Sequence, residues 1–116
     1  MTVQHTMQLD TRYFEKIAAG QKTVEMRLFD KKRQKIKVGD EILFADRAAP
    51  DRTLVVRVTA LHRFGDFAAL YGKIPPASLG YGETDTPDPA DMEAYYTKEE
   101  QAKYGVVGIE FVLKNK

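Results

Sequence analysis

The sequence predicts an α+β domain built on a curved sheet or small barrel, with short helices at its periphery. Three observations carry this. Five runs alternate apolar with polar residues at the period of a strand. The stretches with helical spacing between them are short. The 116 residues suffice for one domain, 1–116, with one core but not two. Closing such a sheet protects its edges and leaves a mouth where loops meet.

VQHTMQL (3 to 9) is the first strand. Asp10 follows as the N-cap of a helix over TRYFEKIAA, whose Tyr13, Phe14, Ile17 and Ala18 share a face, and Gly20 takes the C′ position. TVEMRLF (23 to 29) is a strand with Val24, Met26 and Leu28 on one face and Thr23, Glu25 and Arg27 on the other. A polar connection ending in Val38-Gly39-Asp40 leads to EILFAD (41 to 46). A loop containing Ala48-Ala49-Pro50-Asp51 then leads to TLVVRVTALHRF (53 to 64). Asp66 caps a short helix, FAALYG. The Pro/Gly-rich KIPPASLGYGETDTPDP reads as loop, and ADMEAYYTKEEQAKYG as one or two short helices with a capping box between Thr97 and Glu100. VVGIEFVLK (106 to 114) is the last strand.

Composition narrows the function. There is no cysteine, which excludes disulfides, thiolate metal sites and cysteine nucleophiles. No apolar run approaches the roughly 20 residues of a membrane span, and MTVQHTMQLD lacks the features of a signal peptide, so the expected compartment is the cytoplasm. The net charge of +1 hides a split, +5 over residues 1 to 63 against −4 over 64 to 116. Such a split suggests one basic and one acidic surface. The basic one suits phosphate contacts without the heavy charge of a dedicated duplex binder.

The candidate site is the segment from Gly20 to Arg27. GQKT is not a phosphate-binding P-loop, because Gln21 separates the glycine from Lys22 and a helix precedes the strand. If the polar face of the strand looks into a mouth, Glu25 accepts from an amine or orients a cation, and Arg27 grips a phosphate or carboxylate. Lys22 adds a third charge. The plain alternative is a solvated outer face. KKRQKIK (31 to 37) places Lys31, Lys32, Arg33, Lys35 and Lys37 just beyond, either as a source of phosphate attraction or as an ordinary polar loop. Tyr81, Tyr95, Tyr96 and Tyr104 suit either base stacking or packing. His5 and His62 lie on separate strands without ligand spacing, so no metal is expected. Ser78, the sole serine, lies in the Pro/Gly loop without a nucleophile motif.

Gly20-x-Lys22-Thr23-x-Glu25-x-Arg27 resembles the G-x-K-x-x-E-x-R signature of the ASCH domain, a PUA-like β-barrel family. The Lys37-Val38-Gly39-Asp40 turn before a strand and the closing Tyr104-Gly105-Val106-Val107-Gly108-Ile109 are also similar to that family. The resemblance implies a curved sheet or barrel of about five or six strands, with a cleft lined by the signature strand. It implies RNA or nucleotide binding without a cofactor, membrane or obligate protein partner. It favours Lys22, Glu25 and Arg27 as binding residues, and the basic run beside them adds Lys31, Lys32, Arg33 and Lys35 as phosphate contacts. Some bacterial members are amidohydrolases that deacylate N(4)-acetylcytidine with a lysine, a threonine three residues later and a distant glutamate. The lysine falls on Lys22, but Glu25 stands where the threonine belongs. As an enzyme, the protein would use Lys22 and Glu25 on an acylated cytidine or as a ribonuclease, with Thr23 and Glu83 as secondary candidates. Glu25 would activate water, and the adjacent lysine keeps it ionised but a weak base. Single-stranded RNA is the favoured partner, since the A-form major groove is closed to side chains.

Overall fold

Alternation places five strands, and the computed structural model, which describes residues 3–114, contains all five in one sheet. They are β1 (Gln4–Leu9), β2 (Val24–Leu28), β3 (Glu41–Asp46), β4 (Ala49–Phe64) and β5 (Val106–Leu113). Their order is β1-β3-β4-β5-β2, with β1 and β3 parallel and every other neighbour antiparallel. The sheet curls into a half-barrel. The 16-residue β4 drives the curl. Its first part pairs with β3 and its second with β5, and the register slips between Val58 and Ala60, so Thr59 is a bulge that sharpens the twist.

Three α-helices surround the sheet: α1 (Thr11–Ala18), α2 (Phe67–Tyr71) and α3 (Lys98–Tyr104). Short 3-10 turns lie at Arg33–Lys35, Pro76–Leu79 and Pro89–Ala94. Asp66 caps α2 by accepting from the Ala69 N–H at 2.9 Å. Thr97 and Glu100 form the anticipated reciprocal capping box of α3.

Three local expectations need correction. Asp10 holds the N-cap position of α1 but makes no cap bond, and its carboxylate goes to Arg47 instead, at 2.6 Å. Ala18 is exposed, so the buried face of α1 is Phe14 and Ile17. Pro50 and Asp51 belong to β4, not to a loop. Pro50 fits there because the β3–β4 register jumps from Thr53 to Ala49, a place where a missing N–H costs no ladder bond.

The sheet is also buried on two sides, where a single core was expected. Met7, Leu9, Phe14, Ile17, Ile42, Phe44, Val56, Val58, Val107, Ile109 and Phe111 fill its concave side. Val24, Met26, Leu28 and Val106 pack outward against Phe67, Leu70, Ile74, Leu79 and Met92. Each such side chain contributes roughly 1.5–3 kcal/mol of burial. This outer layer matters for the site. It occupies the apolar face of β2, so Glu25 and Arg27, paired with Ile109 and Val107 of the inner core, face inward.

Candidate functional site

β1 and β2 are the two edges of the sheet, and no ladder joins them. The seam between them is bridged by a side chain: Arg27 Nη2 donates to the Gln8 carbonyl at 2.9 Å. A cavity of about 640 Å³ opens at this seam. Lys22, Glu25 and Arg27 line it at one side, and Tyr13, Tyr71, Tyr81, Tyr95 and Tyr96 wall it.

The end of α1 delivers Lys22. Gly20, at φ +78°, lets the chain reverse, with the Gly20 N–H on the Ile17 carbonyl and the Gln21 N–H on the Lys16 carbonyl. Lys22 then turns inward and is only 2% exposed. Its Nζ donates to the Leu79 carbonyl at 3.0 Å and meets Glu25 Oε1 at 3.4 Å. The Leu79 acceptor is aimed by Gly80, whose left-handed φ of +97° ends the Pro76–Leu79 turn. The Gly80 carbonyl in turn accepts from Lys16 Nζ at 2.6 Å. A Cβ at Gly80 would lie 3.3 Å from both Lys16 Cδ and Lys22 Cβ, so the turn and the two lysines fit together only around a glycine.

Glu25 is the hub of this charged side. Its Oε1 accepts from the Met26 N–H at 3.2 Å, and its Oε2 from Arg27 Nε at 3.0 Å. Arg27 Nη2 lies 2.9 Å from the same oxygen. Burial pushes the Glu25 carboxyl upward, but Arg27 and then Lys22 outweigh it and hold it below the usual carboxylate range. Burial lowers the Lys22 ammonium below its ordinary value, with Glu25 acting against it. Arg27 is raised: burial opposes the rise, and Glu25 prevails. Glu25 is thus held ionised between the basic side chains of Lys22 and Arg27. Lys22 Nζ makes one hydrogen bond, to the Leu79 carbonyl, and completes its surroundings with the Glu25 ion pair and the Tyr13 ring.

The walls are tyrosine. Tyr71 and Tyr81 share a hydroxyl–hydroxyl bond of 2.6 Å, with rings 5.9 Å apart at 65°. Tyr95 and Tyr96 lie 6.5 Å apart at 47°. Arg12 and Lys22 both sit over Tyr13, at 4.7 and 5.6 Å from its ring centre.

Of the residues selected from sequence, Lys22, Glu25, Arg27, Tyr81, Tyr95 and Tyr96 come together here. Thr23 does not. It precedes β2, is exposed, and borders a separate hollow with His62, Ser78 and Glu110. Glu83 is exposed on a loop and Tyr104 packs in the outer core, so neither lines the cavity. Lys31, Lys32, Lys35 and Lys37 are exposed outside it, whereas Arg33 is tied to Asp30 at 3.0 Å. Lys32 lies close enough for Arg27 to lower its pKa, behind burial and Arg33. His5 bonds Asp40 and His62 bonds Glu110. Sequence reasoning places Tyr13 on the helix face and does not select it for the site, nor Lys16, Tyr71, Asp85 and Asp91. Nothing local marks the latter four, because the fold brings them in from α1, α2 and the loops.

Architecture and site together define a PUA-like α+β half-barrel with a charged, tyrosine-walled cavity at its open seam. The ASCH domain family model matches residues 7–115, and the chain belongs to that family, whose members are generally RNA-binding. The crystal structure of a hypothetical protein, PH0355, superimposes with a TM-score of 0.81 at 29% identity, covering 97% of this chain and all of the other. Protein PF0455 from Pyrococcus furiosus gives 0.72 at 27%, covering 98% of this chain and all of the other. The ASCH structure from Zymomonas mobilis, at 0.62 and 16%, covers 97% of this chain and 67% of its own and shares the fold. No curated protein matches the chain.

Proposed function

We propose that the protein binds single-stranded RNA by drawing one nucleotide into the seam cavity. The observation that carries this reading is the buried Lys22–Glu25–Arg27 trio beneath tyrosine walls. A cavity of about 640 Å³ is in the range of small-ligand pockets and admits a nucleoside. Tyrosine faces stack on any base, and the trio offers fixed donors to its polar edge or to a phosphate. The lining balances five cationic side chains with four carboxylates, which favours a base over a polyphosphate. The basic loop steers the backbone, with Lys31, Lys32, Lys35 and Lys37 free to meet phosphates and Arg33 held by Asp30. A duplex hides its base edges and cannot deliver one here.

Fluorescence anisotropy with labelled oligoribonucleotides tests this. A single strand binds, the matching duplex binds at least about tenfold more weakly, and Tyr81→Ala costs roughly 1–3 kcal/mol of affinity for the single strand. Equal binding of both forms, unaffected by Tyr81→Ala, would sink the reading.

A second reading, hydrolysis of an N(4)-acylated cytidine, is favoured by the lysine–carboxylate contact at one side of a nucleoside-sized cavity. Glu25 is the base available to activate water, but its two cationic partners make it a weak one. Chromatography of N(4)-acetylcytidine incubated with wild type and with Glu25→Gln decides it. Release of acetate and cytidine that the variant abolishes establishes the enzyme, whereas binding without turnover leaves a reader.

A further inference from the structure

The cavity is electrically lopsided. On the β2 side, Lys22 and Arg27 outnumber Glu25. On the opposite side, Asp85 and Asp91 stand with Tyr71 and Tyr81, and neither carboxylate joins an ion pair among the described residues. Asp85 accepts only the Gly82 N–H, at 2.6 Å. Asp91 lines the same cavity as Tyr71 and Tyr81, and burial, with Asp91 adding to it, raises both phenols. The cations stacked within the cavity, Arg12 and Lys22, are over Tyr13. The Tyr71 and Tyr81 rings carry none among the described residues. Their hydroxyls bond each other, and the two rings stand at 65° to one another.

We propose that the cavity takes a nucleoside whose base carries a positive charge, its cationic ring lodged by Tyr71, Tyr81 and Asp91 while an acceptor on the same ligand meets Lys22 and Arg27. This rests on the nucleotide-binding reading and names the ligand class. Asp85 and Asp91 are exposed at the cavity mouth, and a neutral base seated beside them would displace part of their water without offering an ionic partner. A cationic base compensates both carboxylates and is attracted to the tyrosine faces as well. A ring nitrogen that is alkylated and charged neither donates nor accepts a hydrogen bond, so aromatic faces with a nearby carboxylate are the partners it can use. At the other end, Lys22 and Arg27 line the cavity as the basic groups that a ring or sugar acceptor would meet.

The test uses two positional isomers: 1-methyladenosine, which is protonated and cationic at neutral pH, and N(6)-methyladenosine, which is neutral. Calorimetric titration of the wild type gives the cationic isomer roughly a tenfold advantage, the range of a desolvated cation–aromatic contact. In the double variant Asp85→Asn, Asp91→Asn the two isomers bind within about twofold of each other. Equal binding to the wild type overturns the proposal, and so does a preference that survives in the variant. If neither isomer binds while single-stranded RNA does, the proposal falls and the RNA reading stands. If RNA fails as well, both fall.

Discussion

Two stretches of this chain concentrate positive charge, and the fold treats them in opposite ways. Lys22 and Arg27 are folded into the seam around one carboxylate, with Glu25 only 7% exposed. Lys31, Lys32, Lys35 and Lys37 stand in solvent a few residues later. Buried in the seam, these charges are fixed by their partners and screened less than charges in solvent. On the loop, water and salt reduce it to a diffuse attraction within about 10 Å. Under the proposed function, similar residue types would serve recognition in one place and recruitment in the other.

The sharpest way to break that contrast is Glu25→Gln. It removes the charge that two buried cations share, and losing one partner of a buried ion pair costs about 3–5 kcal/mol. Urea denaturation should show a loss of that size. The pH dependence follows from the lowered Glu25 pKa. Its stabilisation is present above the unfolded carboxyl value of about 4.3 and is lost as pH falls through the lower folded value. Wild type should therefore lose stability in that acidic window, and the variant should lose less. A variant as stable as wild type at neutral pH would mean that the trio is solvated.

Gly80→Ala attacks the same seam without touching a charge. A left-handed conformation costs a side chain roughly 1–2 kcal/mol, and the new methyl group presses on Lys16 and Lys22 from 3.3 Å. Both stability and ligand affinity should fall. An unchanged affinity would show that the Leu79 carbonyl does not position Lys22. Lys22→Met gives the smaller and more informative effect. It replaces a buried ammonium by an apolar chain of similar shape and leaves Glu25 neutralised by Arg27. Stability should therefore fall by about 1 kcal/mol, mainly from leaving the Leu79 carbonyl without its donor. Ligand affinity should fall at least tenfold if Lys22 meets the ligand. Intact affinity would remove Lys22 from recognition.

Much of this is legible in the chain, for reasons that differ by residue. Alternation exposes the strands, and the strand parity of Glu25 and Arg27 puts them together on one face. Only the outer layer of Phe67, Leu70 and Ile74 decides that this face looks inward, and those residues lie far downstream. Thr23 obeys the same parity yet falls outside the cavity, because β2 begins after it. Tyr13 reads as core in a helical wheel, and its ring does touch the inner core, but it also faces the seam. Tyr71, Asp85 and Asp91 reach the cavity through long-range packing that no local pattern records. Pro50 looks like a loop residue because a register slip cannot be read from one strand alone.

The smallest structural effect is expected from the loop. Replacing Lys31, Lys32, Lys35 and Lys37 by glutamine, with Arg33 kept for its bond to Asp30, removes charges that make no ion pair among the described residues. The melting temperature should stay essentially unchanged, which separates this variant from every substitution in the seam. RNA affinity should fall nonetheless. The slope of log affinity against log salt should become shallower by about 0.7 for each phosphate no longer neutralised, the value for single strands. The preference between base types should remain, because the seam that reads the base is untouched. If the slope kept its full value, the RNA backbone would have to run past the cavity on another path. The candidates would then be Arg12 and Arg47 at the α1 side of the seam, and the division between recruiting and reading charges would have to be redrawn there.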